Sequence, residues 1–149
     1  MGKQIRYAEI VQEHVIKAPR ERVYRALTEE VNAWWCHAIN ENPTLRLEAR
    51  LGGKFYEECA NGGGMLFGTV TWLKPGEELE LTGGMGWDGP AQGTYSFTLV
   101  EKGQETLLKL EHKFFGPLND ETEANYVEGW KEVIGLGFKN YVEKGTRIR

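Results

Sequence analysis

Short strand-forming stretches separated by glycine-containing turns fill the middle of this sequence, and they constrain its fold more than any other feature. From residue 45 to residue 51, leucine or alanine alternates with charged residues, which is the period-two pattern of a half-buried strand. Glycines at 52–53, 62–64 and 76 allow tight reversals into further strands near residues 55–59, 65–73 and 79–82. Two more strands, near 94–101 and 106–114, follow a glycine-rich loop. The pattern predicts a meandering antiparallel sheet.

A single long amphipathic stretch follows these strands. Aromatic and branched residues recur at steps of three and four between Tyr126 and Tyr141, as on one face of a helix. Asn119 or Asp120 can cap its start, and a Lys-Gly pair at 144–145 supplies a stop. We therefore predict one helix over about residues 120–144.

The N-terminal part of the chain adds one strand and two short helices. Residues 6–18 are rich in β-branched side chains, which favours a first strand. Pro19 suits the first turn of a short helix, and Val31, Trp34 and Trp35 indicate a second one. With about seven strands and no linker between them, we predict an α+β fold in which residues 1–149 form a single domain.

Composition and charge exclude several classes of function. Charged residues make up 27% of the chain and the net charge is only -4, so a nucleic-acid-binding surface is not expected. No stretch approaches the roughly 20 apolar residues that span a membrane, and the N-terminus lacks a signal-peptide pattern. Cys36 and Cys59 fit no metal-ligand or disulfide spacing. We expect a cytoplasmic protein that uses no membrane, metal or cofactor.

Several short motifs occur in the order found in one known superfamily. They are APRERVYRALT at 18–28, WW at 34–35, GGKF at 52–55, GTV at 68–70, LEH at 110–112 and GW at 129–130. In this order they resemble the START/birch-allergen-like (SRPBCC, helix-grip) superfamily, in the branch named after the activator of the Hsp ATPase. The resemblance covers the whole chain. It implies a curved antiparallel sheet that grips the C-terminal helix around an apolar cavity.

The resemblance leaves the function open. Members of this superfamily include lipid carriers, hormone receptors, polyketide cyclases, antibiotic-resistance proteins and co-chaperone domains, and one fold can serve many functions. Relatives often carry an aromatic residue after the fifth strand, where this chain has Leu-Thr-Gly-Gly at 81–84. The function must therefore be argued from the side chains that face the cavity.

Two polar side chains are predicted to face that cavity. His112 lies on the inward face of the last strand, which makes it either a hydrogen-bonding anchor for a ligand or a core histidine satisfied by the backbone or by water. Glu57 shares a strand face with Phe55, which the family pattern places inside. A buried carboxylate needs a partner or a proton. The alternative is a bulge after Gly53 that returns Glu57 to solvent.

Aromatic side chains supply the remaining candidates for the cavity wall. Tyr126 and Trp130 lie on the helix face that should meet the sheet, where they either line the cavity or simply pack. Trp87 lies in the glycine-rich loop, where it either covers the cavity mouth as a lid or packs permanently on a strand or another subunit. The predicted ligand-binding residues are His112, Glu57, Phe55, Trp35, Tyr95, Phe97, Tyr126, Trp130 and Trp87.

These residues favour binding over catalysis. The sequence has no Ser-His-Asp order, paired-cysteine site or HExxH motif, so we expect neither a catalytic residue nor a metal site. We expect a hydrophobic molecule, of aromatic or polyketide-like type, to bind between sheet and helix in a monomer or homodimer. One alternative is an acid/base enzyme of cyclase or hydrolase type that uses His112 and Glu57. Another is a protein-interaction module like a co-chaperone.

Overall fold

Seven antiparallel β-strands form one sheet in the structure, a computed structural model that describes residues 2–37, 43–85 and 90–147. The strands are β1 (Gln4–Ile16), β2 (Thr44–Leu47), β3 (Lys54–Glu58), β4 (Gly64–Lys74), β5 (Glu78–Gly83), β6 (Gln92–Lys102) and β7 (Glu105–Leu118). Their order across the sheet is β1-β7-β6-β5-β4-β3-β2. Strands β2 to β7 therefore pair with their neighbours in sequence, and β1 pairs with β7.

Two short helices separate β1 from β2, and one long helix follows β7. They are α1 (Arg20–Glu29), α2 (Val31–Trp34) and a C-terminal helix made of α3 (Asp120–Trp130), a π-helical segment (Lys131–Phe138) and α4 (Lys139–Lys144). Asn119 caps the C-terminal helix by accepting a hydrogen bond from the backbone N–H of Thr122 at 2.9 Å. Gly145 ends it in the left-handed region, at a φ of 75°. The predicted α+β helix-grip architecture is confirmed.

The second strand is shorter than the alternation of leucines predicts. We expected it to span residues 45–51, but β2 ends at Leu47 and Leu51 is 68% exposed. The backbone turns instead, because Gly53 donates to the carbonyl oxygen of Arg50 at 2.8 Å. A Cβ at Gly53 would lie 2.0 Å from the carbonyl oxygen of Glu48. The glycine thus permits a tight turn, and residues 48–51 belong to this turn region instead of to the strand.

Buried contacts hold α1 and α2 against the C-terminal helix. Trp34 Nε1 donates to the carbonyl oxygen of Ala26 at 2.9 Å, and its ring meets the Phe138 ring edge-on at 4.7 Å. A Cβ at Gly137 would lie 2.7 Å from the carbonyl oxygen of Trp34. The glycine therefore allows the C-terminal helix to approach α2 closely. None of the described helices is long and apolar enough to cross a membrane.

Candidate functional site

Aromatic rings fill the space between the C-terminal helix and the inner face of the sheet. Centroids of neighbouring rings lie 4.3 to 6.3 Å apart, within the range of favourable aromatic pairs. Trp130 is central, because it meets Trp35, Tyr95 and Phe97 at 6.0 to 6.1 Å. We call this set the interior aromatic cluster. Its members are Trp35, Phe55, Phe67, Tyr95, Phe97, His112, Phe114, Tyr126 and Trp130.

The cluster unites seven of the nine residues predicted from the sequence. Glu57 is buried but is not one of these rings, and Trp87 lies outside the described residues. Phe67 and Phe114 are additions. Phe114 shares the inward face of β7 with His112, so the alternation along that strand already indicated it. Phe67 could not be predicted in the same way, because its inward position depends on a bulge in β4.

That bulge lies where β3 pairs with β4. Phe55 is opposite Gly68, whereas the next residue, Tyr56, is opposite Leu66, so Phe67 has no partner in the ladder. Such an extra residue changes which way its neighbours point. As a result two successive positions of β4 are buried. The Phe67 ring meets Phe55 at 5.0 Å, and a Cβ at Gly68 would point at the ring of Tyr95 on β6.

His112 is held as a neutral hydrogen-bond donor. It is 2% exposed, and Trp130 Nε1 donates to its Nδ1 at 3.0 Å. An indole N–H can only donate, so Nδ1 accepts and the neutral imidazole carries its proton on Nε2. Burial lowers the pKa of His112 to about 3, because a charged imidazolium is poorly solvated in an apolar interior. The Nε2–H group is therefore left to donate to another partner.

Tyr95 carries a buried hydroxyl group without a hydrogen bond. The side chain is 1% exposed, and within residues 2–37, 43–85 and 90–147 its hydroxyl oxygen has no hydrogen-bond partner. The hydroxyl lies over Gly68, where a Cβ would approach it to 2.4 Å. Burial raises the pKa of Tyr95, so the group stays protonated. Tyr95 is the cross-strand partner of His112, and their ring centroids are 5.8 Å apart.

Glu57 is buried at a distance from His112. It is 1% exposed, and the bulge lies in the neighbouring strand β4, so the alternative in which a bulge after Gly53 returns Glu57 to solvent is not what the structure has. β3 and β7 are separated by three strands. Four strand spacings amount to about 19 Å along the sheet. The two residues therefore lie on strands that are not neighbours in the sheet.

Tyr126 links the C-terminal helix to the end of β5. Its ring lies 5.6 Å from His112 and 5.5 Å from Phe114. Its hydroxyl donates to the carbonyl oxygen of Met85 at 3.4 Å, and burial raises its pKa. Met85 has a φ of 52°, an uncommon value for a residue with a side chain. It is the last described residue before residues 86–89, which include Trp87.

An open groove of about 480 Å³ runs along the β3–β4 hairpin. Glu57 is the only predicted site residue on its walls, which otherwise include the charged residues Glu48, Arg50, Lys54 and Glu58. An apolar ligand would gain little there, because such ligands prefer concave sites lined by apolar groups. Among the described residues no group of three or more His, Cys, Asp or Glu side chains could hold a metal ion. We therefore place the candidate site at the interior aromatic cluster.

Comparison with known proteins identifies the family. The Activator of Hsp90 ATPase homolog 1-like protein family matches residues 17–143. The chain belongs to this family. Membership in the Activator of Hsp90 ATPase homolog 1-like family confirms the resemblance seen in the motifs, and it supports a ligand-binding or interaction role in general. No curated protein matches the sequence.

Solved structures share the fold of this family member. A conserved protein of unknown function from Enterococcus faecalis is 20% identical, with a TM-score of 0.70 over 96% of this chain and 78% of that chain. The Aha1 dimer from Colwellia psychrerythraea is 24% identical, with a TM-score of 0.68 over 93% and 98%. CalU16 from Micromonospora echinospora is 18% identical, with a TM-score of 0.66 over 94% and 83%. At these identities the similarity shows the fold alone.

Proposed function

We propose that this protein binds a small hydrophobic molecule between the sheet and the C-terminal helix, with residues 1–149 acting as one domain. The observation that carries the proposal is the Tyr95 hydroxyl, which is buried over Gly68 without a hydrogen-bond partner among the described residues. A buried polar group left unpaired costs about 1–3 kcal/mol. A ligand atom that pairs with the hydroxyl would remove this cost. The aromatic rings around it would supply apolar contact.

The rings already touch one another, so the ligand must displace or separate some of them. Trp130 is the side chain whose movement would open the most space, because its ring contacts several other members of the cluster. It lies at the end of α3, directly before the π-helical segment. π-helical turns occur often at functional sites. Binding is thus expected to move Trp130 together with the junction of α3 and the π-helical segment.

Binding without turnover fits the polar groups better than acid/base catalysis. His112 stays neutral over the physiological pH range because its pKa is about 3, so it is a poor base for proton abstraction near pH 7. Glu57 lies on β3, about four strand spacings along the sheet from the strand of His112. We therefore do not expect it to pass protons directly to His112. A carrier or sensor of a small molecule is therefore the function that we propose, in the cytoplasm.

Extraction of bound molecules tests this proposal. The wild-type protein, purified without denaturation, is denatured and its organic extract is analysed by mass spectrometry. Tyr95→Phe is analysed in parallel, with Tyr56→Phe as the matched control, since Tyr56 alternates with inward residues and points to the outer face of β3. We expect one compound that is enriched from wild type and Tyr56→Phe and depleted from Tyr95→Phe. Equal recovery of all compounds from the three proteins would contradict a site at Tyr95.

Self-association is a second candidate, favoured by an apolar patch on the outer face of β1 and β7. Tyr7 and Phe115 are cross-strand partners and are 56% and 54% exposed, beside Ile5 at 74%. Adjacent exposed apolar side chains often mark an interface. The related Aha1 from Colwellia psychrerythraea is described as a dimer. We propose that a second copy of this chain covers the patch.

Light scattering coupled to size-exclusion chromatography tests the dimer. Phe115→Ser should shift a wild-type dimer to monomer. Trp72→Ser is the control, because Trp72 is an aromatic residue with the same 54% exposure on β4. A wild-type monomer at all concentrations, or a dimer that resists Phe115→Ser, would contradict this candidate.

A further inference from the structure

We propose that the free edge of β1, the side of this strand that faces away from β7, binds an extended peptide in which basic and apolar side chains alternate. β1 is 13 residues long and lies at one end of the strand order, so that side has no neighbouring strand. A peptide added there lies in the plane of the sheet. This surface lies outside the proposed ligand site, so a peptide and a small molecule would not compete for the same contacts.

Backbone groups of alternate β1 residues point to the free edge. The carbonyl oxygen of Val15 accepts a hydrogen bond from Lys139 Nζ at 2.6 Å, and the backbone N–H of Lys17, just after the strand, donates to Glu143 Oε2 at 2.7 Å. Both partners come from α4 and not from β7. Because the backbone groups of an antiparallel strand alternate between its two sides, the N–H and C=O groups of residues 7, 9, 11 and 13 also point away from β7.

The centre of the free edge is open. Outside the β1–β7 ladder, no residue that the structure describes forms a hydrogen bond with the backbone of Tyr7, Glu9, Val11 or Glu13. The side chains of these four residues are exposed. Each of them therefore presents one donor and one acceptor to a further strand. Open edges of this kind bind extended peptides by adding a strand to the sheet.

Two carboxylates along the free edge lack a cation. The residues opposite Glu9 and Glu13 on β7 are Lys113 and Lys109, but both lysines pair with Glu111, at 3.6 and 3.2 Å. In the described part of the chain neither Glu9 nor Glu13 forms an ion pair. A basic side chain on an added strand, directly opposite each carboxylate, would supply the cation, since opposite charges on facing strands attract.

The same carboxylates disfavour a second copy of β1 as the partner. Symmetric antiparallel pairing centred on Val11 places Glu9 opposite Glu13 of the second copy. Pairing centred on Glu9 places the two Glu9 side chains opposite each other. Like charges directly opposite are destabilising, and charged side chains on an edge strand hinder the association of identical edges. A basic peptide avoids this repulsion.

The alternation along β1 sets the pattern of the partner. Tyr7 and Val11 are each 56% exposed and alternate with the two carboxylates. Aromatic and β-branched side chains pair well across strands. The peptide that fits therefore carries a basic residue opposite Glu13 and Glu9, and a β-branched or aromatic residue opposite Val11 and Tyr7.

A heptapeptide probe tests this surface by NMR titration of isotope-labelled protein. Its sequence is acetyl-Lys-Thr-Val-Thr-Lys-Thr-Tyr-amide, so antiparallel pairing sets its lysines opposite Glu13 and Glu9 and its valine opposite Val11. We expect the amide proton resonances of residues 7, 9, 11 and 13 to shift. Residues 8, 10 and 12 should shift less, because their amide groups point to β7.

Two N-methylated forms of the probe separate strand pairing from simple charge attraction. Methyl groups on the backbone nitrogens of the valine and the second lysine remove N–H groups that would face β1. Methyl groups on the backbone nitrogens of the first two threonines face away from β1 and leave those bonds intact. We expect the first form to bind at least about tenfold more weakly than the second, because it loses two hydrogen bonds.

Variants of the protein test the same edge from the other side. Val11→Pro should weaken probe binding at least about tenfold while the ladder to β7 is kept, because proline is tolerated where the N–H faces the free side of an edge strand. Val11→Thr keeps the N–H group and should bind the probe as the wild type does. Glu13→Gln should lower the affinity about twofold, the usual effect of one cross-strand charge pair. Glu58→Gln removes an exposed carboxylate on β3 and should leave the affinity unchanged.

Three outcomes would overturn the proposal. Equal affinity of the two N-methylated probes would mean that charge alone attracts the peptide, and shifts that do not follow the alternation along β1 would place the peptide elsewhere. Shifts of the same four amide protons on dilution of the protein without probe would mean that a second copy occupies the free edge. The N-methylated probes need only wild-type protein, so they decide the question even where Val11→Pro does not fold.

Discussion

Trp130 on the C-terminal helix and His112 on β7 form a buried hydrogen bond of 3.0 Å, with the indole nitrogen as donor and Nδ1 as acceptor. The bond joins the helix to the sheet at the centre of the interior aromatic cluster. It also fixes the imidazole tautomer, because the acceptor nitrogen cannot carry the proton. The polar chemistry that His112 can offer a ligand follows from this one contact.

Burial of neutral His112 should make stability depend on pH. In the unfolded chain His112 binds a proton below about pH 6.5, whereas in the folded protein its pKa is about 3. Between these values the unfolded state binds more protons, so the free energy of unfolding falls as the pH falls, by about 1 kcal/mol per pH unit. Urea denaturation of wild type and His112→Gln between pH 7 and pH 4 measures this.

The difference between the two proteins isolates His112. The other histidines and the carboxylates are present in both proteins, so their contributions to the pH dependence cancel. The stability advantage of the wild type over His112→Gln should therefore shrink steadily as the pH falls below 6.5. A difference that stays constant from pH 7 to pH 4 would mean that His112 is not buried as the structure describes.

Removing the unpaired hydroxyl should stabilise the ligand-free protein. Tyr95→Phe keeps the ring and its contacts but deletes a buried oxygen that has no hydrogen bond among the described residues. We expect the free energy of unfolding to rise by about 1 kcal/mol, measured by chemical denaturation after bound material has been removed. Tyr56→Phe should change it by less than about 0.5 kcal/mol, as surface substitutions usually do. A clear loss of stability in Tyr95→Phe would show that the hydroxyl is paired.

Two glycines of the C-terminal helix should respond to alanine in opposite ways. A Cβ at Gly137 would lie 2.7 Å from the backbone carbonyl oxygen of Trp34, whereas a Cβ at Gly129 would meet nothing within 4 Å. Gly137→Ala should lower the free energy of unfolding by about 1–3 kcal/mol through the clash. Gly129→Ala should raise it by up to about 1 kcal/mol through helix propensity. Thermal melts compare the variants, and a stabilised Gly137→Ala would refute the close approach of the helix to α2.

The sequence predicted the elements of this fold well because their signals are local. The spacing of apolar residues between Tyr126 and Tyr141 indicated a helix, and the structure has one over Asp120 to Lys144. The π-helical geometry of its middle was not predicted, since it depends on how the helix packs against α2 and β1. The predicted end of β2 was wrong, because the backbone turn that Gly53 allows ends the strand although the side chains continue to alternate.

The candidate site was predicted only in part. Alternation along β7 placed His112 inside, and the structure has it buried at 2% exposure. Its tautomer could not be predicted, because the Trp130 donor comes from a helix 18 residues away in sequence. The unpaired hydroxyl of Tyr95 depends on Gly68, which the bulge in β4 turns towards it. Bulges leave no clear periodic signal in a single sequence. The lid role of Trp87 stays a prediction.

The most direct test of small-molecule binding at Tyr95 is an isotope-filtered NOE measurement on labelled protein saturated with the compound that extraction recovers from the wild type. We expect cross-peaks from the protons of this compound to ring protons of Tyr95, His112 and Trp130. Cross-peaks confined to the outer face of the sheet, at Tyr7 and Phe115, or none at all, would contradict it.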